Sequence, residues 1–63
     1  MEKYTVAVNH GEYCSGLFET YAEAFQYAVK QTRAEFQEVA DCVDDEDVYY
    51  YADGYFSVME ITI

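Results

Sequence analysis

Basic residues are nearly absent from this chain. Its 63 residues include three Lys or Arg against thirteen Asp or Glu, for a formal net charge of −10, and no Lys or Arg follows Arg33. Proteins that grip nucleic acid do so largely with Lys and Arg on the phosphates. Direct binding to DNA or RNA is therefore excluded, as is attraction to an anionic membrane. Long apolar runs are missing too, and none approaches the ~20 residues that span a bilayer. The opening Met1-Glu2-Lys3-Tyr4 leads into alternation and not into a leader, so no signal peptide is read and a cytoplasmic protein is expected. Cysteine is sparse. Cys14 and Cys42 could form one bridge, but in a reducing compartment two free thiols are expected.

Chemistry-bearing motifs are equally thin. No CxxC or Cys/His spacing marks a zinc site, and no glycine-rich loop is present to cradle a phosphate. The run Asp44 to Asp47 lacks the glycine and glutamate spacing of an EF-hand. His10 and Cys14 flank a turn like half of a thiol dyad, yet so short a chain offers no pocket to house one. The expectation is a protein that is not an enzyme and carries no cofactor or metal.

What is present is a folded domain. Hydrophobic residues make up 52% of the chain and aromatics 19%, too apolar for a disordered acidic tail. The length fits one domain, residues 1–63, with a marginal core, since such a chain buries only ~60% of its unfolded surface.

The charge is one-sided. Residues 1–33 hold four acids and all three cations, for a net of −1, whereas residues 34–63 hold nine acids and no Lys or Arg, for a net of −9. A field of this kind attracts basic surfaces.

Periodicity predicts the elements. Lys3 to Asn9 alternates, with Tyr4, Val6 and Val8 on one face, and reads as a strand. Asn9-His10-Gly11 is a turn with Gly11 free to take positive φ, and residues 12–18 return. A two-residue turn would set Val8 opposite Tyr13, Val6 opposite Ser15 and Tyr4 opposite Leu17. Thr20 with Glu23 forms a capping box that opens a helix. Its apolar side is Tyr21, Phe25, Ala28, Val29, Thr32, Phe36 and Val39, with Glu23, Gln26, Lys30, Arg33 and Gln37 opposite, and its end is expected between Val39 and Cys42. An acidic connector (41–47) follows, then a β-rich run (48–52), the turn signal Asp53-Gly54 and a last strand (55–63). The expected fold is α+β, in the order ββαββ, an antiparallel sheet with one helix packed on one face.

Two surfaces stand out. Glu35, Glu38 and Asp41 recur every three residues along one expected helical edge, and Asp44, Asp45, Glu46 and Asp47 continue it. Acids at a helix C-terminus oppose its partial negative charge by ~0.3–1 kcal/mol each. Their persistence there points to a role other than stability. Carboxylates one turn apart lie ~5–6 Å from one another, close to the phosphate repeat of a nucleic-acid strand. The plainer reading is a solvated face that keeps the protein soluble. In the second surface, an Asp53-Gly54 hairpin would pair Tyr51 with Phe56 and Tyr49 with Val58. Val48, Tyr50, Ala52, Tyr55, Met59 and Ile61 would then face the core. Tyr49, Tyr51 and Phe56 would form an open aromatic face, either a partner surface or a homodimer seam. Ordinary cross-strand aromatic pairing is the plainer alternative.

The capped helix, the carboxylate run from Glu35 to Asp47 and the tyrosine-rich strands together resemble the small acidic inhibitors encoded by phages and other mobile elements. Those include nucleic-acid-mimic anti-CRISPR and anti-restriction proteins and inhibitors of uracil-DNA glycosylase. The likeness is one of size, charge and style, and no motif is carried over residue by residue. It implies a basic, nucleic-acid-binding partner in the cytoplasm of an infected bacterium. The alternative is a protein-interaction module or dimer that uses the tyrosine face, with acidity serving solubility.

Overall fold

The computed structural model of the chain describes residues 2–9, 11 and 13–62. Strand β1 (Glu2–Val8) turns back into β2 (Tyr13–Phe18), the main helix α1 (Tyr21–Glu35) crosses the sheet, and a last strand β3 (Phe56–Thr62) returns to the other side of β1. The sheet order is β2-β1-β3 with antiparallel neighbours, so β1 is central. The expected turn at His10, the His10–Cys14 proximity, the strand start at Glu12 and the strand end at Ile63 lie outside the described residues.

The hairpin register follows the alternation at Val8↔Tyr13 and Val6↔Ser15, then slips so that Tyr4 faces Phe18 and not Leu17. The cause is a bulge at Gly16, whose φ of +77° is open to glycine. A Cβ there would lie 2.8 Å from the Phe18 ring. The Thr5 hydroxyl fastens the bulge by donating to the Gly16 carbonyl at 2.8 Å. The slip turns Phe18 toward the core, where its ring lies 5.2 Å from that of Tyr27.

Helix α1 starts as the capping box predicts. The Glu23 N–H donates to Thr20 Oγ1 at 3.2 Å, and the Thr20 hydroxyl donates to the Glu23 carboxylate at 3.1 Å. Ala24, Ala28, Val29 and Thr32 are buried against Val6, Val48 and Phe56. The buried Thr32 hydroxyl is satisfied by donating to the Ala28 carbonyl at 2.8 Å. The helix ends at Glu35, earlier than the apolar spacing suggests, because Phe36 is extended (φ −118°, ψ 102°). Val39 still reaches the core from a 3-10 turn over Gln37–Val39. Continuing the helix would have carried Glu38 and Asp41 onto its negative end. The chain turns away before that conflict arises.

The predicted fourth strand does not form. Residues 48–52 instead complete a short helix α2 (Asp45–Tyr49) and enter a 3-10 turn (Tyr51–Asp53), so the order is ββαβ with a short second helix, and not ββαββ. Asp44 caps α2, its carboxylate accepting from the Glu46 N–H at 2.9 Å. Asp45, Glu46 and Asp47 fill the first turn, where the helix dipole favours anions. Val48 and Tyr49, consecutive at the end of this short helix, are both buried. Asp53 and Gly54 do take left-handed conformations (φ 61° and 70°), but they join the 3-10 turn to β3 and not two strands. No helix among the described residues is long and apolar enough to cross a membrane.

Candidate partner-binding surface

Arg33 organises the acidic segment. The helical pattern placed it on the solvent side; in the structure it folds over the connector. Its Nη1 donates to the carbonyls of Val39 (3.2 Å), Ala40 (3.3 Å) and Cys42 (2.5 Å), and its Nη2 pairs with Asp45 Oδ1 at 2.9 Å. Gln26 Nε2 donates to the other Asp45 oxygen at 3.3 Å. One guanidinium thereby gathers the carbonyls of the 3-10 turn and the connector and ties the start of α2 to α1.

The seven predicted carboxylates consequently separate into two groups. Asp45 is half-buried in the Arg33 pair, Asp44 caps α2, and Glu38 accepts from the Tyr51 hydroxyl at 2.8 Å. A hydrogen bond from its own backbone N–H, reinforced by that of Tyr51, lowers the Glu38 carboxyl from its ordinary 4.5. The bond to Glu38 in turn raises Tyr51 above its ordinary 10.0. Glu35, Asp41, Glu46 and Asp47 are exposed, and among the described residues none has an ion-pair partner. The seven do not lie along one helical edge: they follow the end of α1, a 3-10 turn, the connector and α2. The helix-end argument for a role beyond stability therefore fails for Asp44 to Asp47, since these acids begin a helix and stabilise it.

The expected open tyrosine face is instead largely interior. Tyr49 is 7% exposed and Phe56 8%, while Tyr51 is half-buried with its ring 5.1 Å from that of Phe36. Tyr49 stacks on Phe25 at 4.8 Å, and its hydroxyl accepts the Val58 N–H at 2.7 Å. Of the set expected in the core, Val48 is buried and Tyr55 packs against the core, but Tyr50, Ala52 and Met59 are exposed. The assignment inverted because it assumed a β-hairpin where α2 forms.

Two aromatics expected on buried faces are instead exposed beside the acids: Tyr21 at 51% and Tyr50 at 67%. With Ala22, Phe25, Gln26 and Glu46 they line an open cleft of 420 Å³ between α1 and α2. The signal was the triplet Tyr49-Tyr50-Tyr51: on a helix, unlike a strand, three consecutive tyrosines cannot share two faces. Tyr21 is raised from its ordinary 10.0, first by partial burial, then by the neighbouring Tyr49 and Tyr50 and a hydrogen bond with Tyr49. Strand alternation places Leu17 (58% exposed), Cys14 and Met59 (41% exposed) on the sheet face away from α1.

No known protein family, curated protein or solved structure matches this chain.

Proposed function

We propose that the protein is a stoichiometric inhibitor whose acidic surface occupies the nucleic-acid groove of a basic bacterial defence protein of the CRISPR-Cas or restriction type, acting in the host cytoplasm. The observation that supports this reading is the state of the cations. Lys3 pairs with Glu19 and Arg33 with Asp45, so two of the three are consumed internally. The segment after Arg33 presents exposed Glu35, Glu38, Asp41, Asp44, Glu46, Asp47 and Asp53 with no basic residue among them. That surface offers a basic groove the charge it was built to bind.

The test is capture of partners from bacterial lysate on the tagged protein, at low and high salt and with competing DNA. Nucleic-acid enzymes displaced by DNA and by salt would support the reading. Charge reversal belongs at Glu35 and Asp41, which are exposed and lie outside α2, and not at Asp44 to Asp47, which cap or begin it. Glu35→Lys with Asp41→Lys should abolish inhibition while leaving the fold intact; undiminished inhibition by the folded double variant would exclude the acidic surface as the contact.

A second reading is favoured by the uncovered sheet face. Leu17 and Met59 are large, apolar and exposed on the side of the sheet away from α1. Two strongly negative molecules would associate most readily through such a low-charge face, giving a homodimer or interaction module in place of the tyrosine seam. A concentration series in sedimentation, repeated on Leu17→Ser, distinguishes a dimer from a monomer.

A further inference from the structure

The cleft between α1 and α2 combines features that neither packing nor solubility requires. Its walls are the rings of Tyr21, Phe25 and Tyr50, and its polar rim is Glu46 and Gln26. Tyr21 and Phe25 are nearly parallel, with ring centroids 6.2 Å apart and 24° between planes. Tyr50 stands edge-on to the buried Tyr49 at 5.0 Å with an interplanar angle of 89°, and most of it remains in solvent. None of the chain's three cations lines the cleft. The α2 residues beside Glu46 are also acidic: Asp45, already neutralised by Arg33, and Asp47, exposed.

Aromatic faces attract cations through their quadrupole, and Arg stacks on them more often than Lys. A guanidinium also brings several donors in one plane, and here it would meet acceptors of two kinds, the Glu46 carboxylate and tyrosine hydroxyls. A single carboxylate in the lining suits one monovalent cation.

Building on the inhibitor reading, we infer that this cleft receives an arginine side chain of the basic partner, stacked between Tyr21 and Tyr50 and paired with Glu46. The acidic surface supplies approach and the cleft supplies an anchor. Partly desolvated anchors of aromatic and arginine character are where binding energy concentrates.

The experiment is titration of the protein with a hexa-arginine peptide and with a hexa-lysine peptide, followed by the NMR resonances of the tyrosine and phenylalanine rings. The arginine peptide should shift Tyr21, Phe25 and Tyr50 and bind more tightly than the lysine peptide. Tyr50→Leu and Glu46→Gln should each weaken arginine-peptide binding about tenfold. Both positions are exposed, so both variants keep the fold. Asp53→Asn removes the same charge from an exposed position that does not line the cleft, and should change affinity less than about threefold. Equal losses in Asp53→Asn and Glu46→Gln, or unmoved ring resonances, would overturn the cleft in favour of diffuse attraction. Equal binding of the two peptides would overturn the arginine assignment. A cleft that passes while captured partners ignore DNA removes the mimic reading alone. A cleft that fails while DNA displaces the partner removes only the anchor.

Discussion

Arg33 shows how much a single side chain organises in a small acidic protein. It holds three carbonyls and one carboxylate, and hydrogen bonds to charged groups contribute ~1.5–3 kcal/mol. Arg33→Ala should therefore lower stability by about 2–3 kcal/mol in urea unfolding. Arg33→Lys should recover less than half, because an ammonium cannot reproduce the planar fork. Amide exchange across 39–45 should accelerate in both. The Glu38–Tyr51 bond adds a pH signature. Glu38 is held below 4.5 when folded, so its stabilising contribution is full above that value and is lost as pH falls through the folded value. Tyr51 is held above 10.0, so its contribution is full below 10.0 and is lost as pH rises through the folded value. The stability gap between the native protein and Tyr51→Phe should be constant at neutral pH and close at both extremes. A gap that persisted below pH ~3 would show that the bond does not depend on the carboxylate.

At the scale of elements, the chain was legible where local chemistry and tertiary demand agree. The hairpin register through Val6 and Val8, the Thr20 cap and the buried stripe Ala28, Val29 and Thr32 were all readable from spacing. The segment 48–52 was misread because its composition is β-rich while its context is helical. Val48, Tyr49 and Tyr50 favour strands, but Asp44 and the acids after it are a helix start, and that signal was read as an acidic connector. The exposed tyrosine set then inverted, which is why the Tyr21–Tyr50 cleft was not read from the sequence. The tertiary context also explains why a fourth strand is dispensable. Beside β3 the Tyr49 hydroxyl accepts an N–H that a neighbouring strand would have taken. Tyr49→Phe should cost about 1–2 kcal/mol, the penalty for leaving that donor without its partner, and should raise amide exchange at Val58 selectively. Unchanged exchange at Val58 would mean that water replaces the phenol at no cost.

For the whole molecule, repulsion among thirteen acids competes with the two ion pairs found among the described residues. Screening weakens both, but the repulsive contacts are the more numerous. The Tm should rise by several degrees between ~0.02 M and ~0.5 M NaCl, where the screening length falls well below the spacing of the surface charges. The same salt should weaken capture of a basic partner, so stability and binding are expected to respond in opposite directions. A Tm that fell with salt would indicate that the Arg33 and Lys3 pairs outweigh the repulsion.

The central position of β1 also sets an order of events. Its pairing with β2 closes a short hairpin, whereas its pairing with β3 joins Glu2 to Thr62 and Val8 to Phe56, across almost the whole chain. Hairpins form in roughly 1–10 μs, and distant strand pairings are slower because loop closure must be met first. The hairpin and α1 are therefore early structure, and docking of β3 is the late step that completes the sheet. Weakening Val58 in β3 should mainly speed unfolding, whereas weakening Val6, which serves both pairings, should slow folding as well.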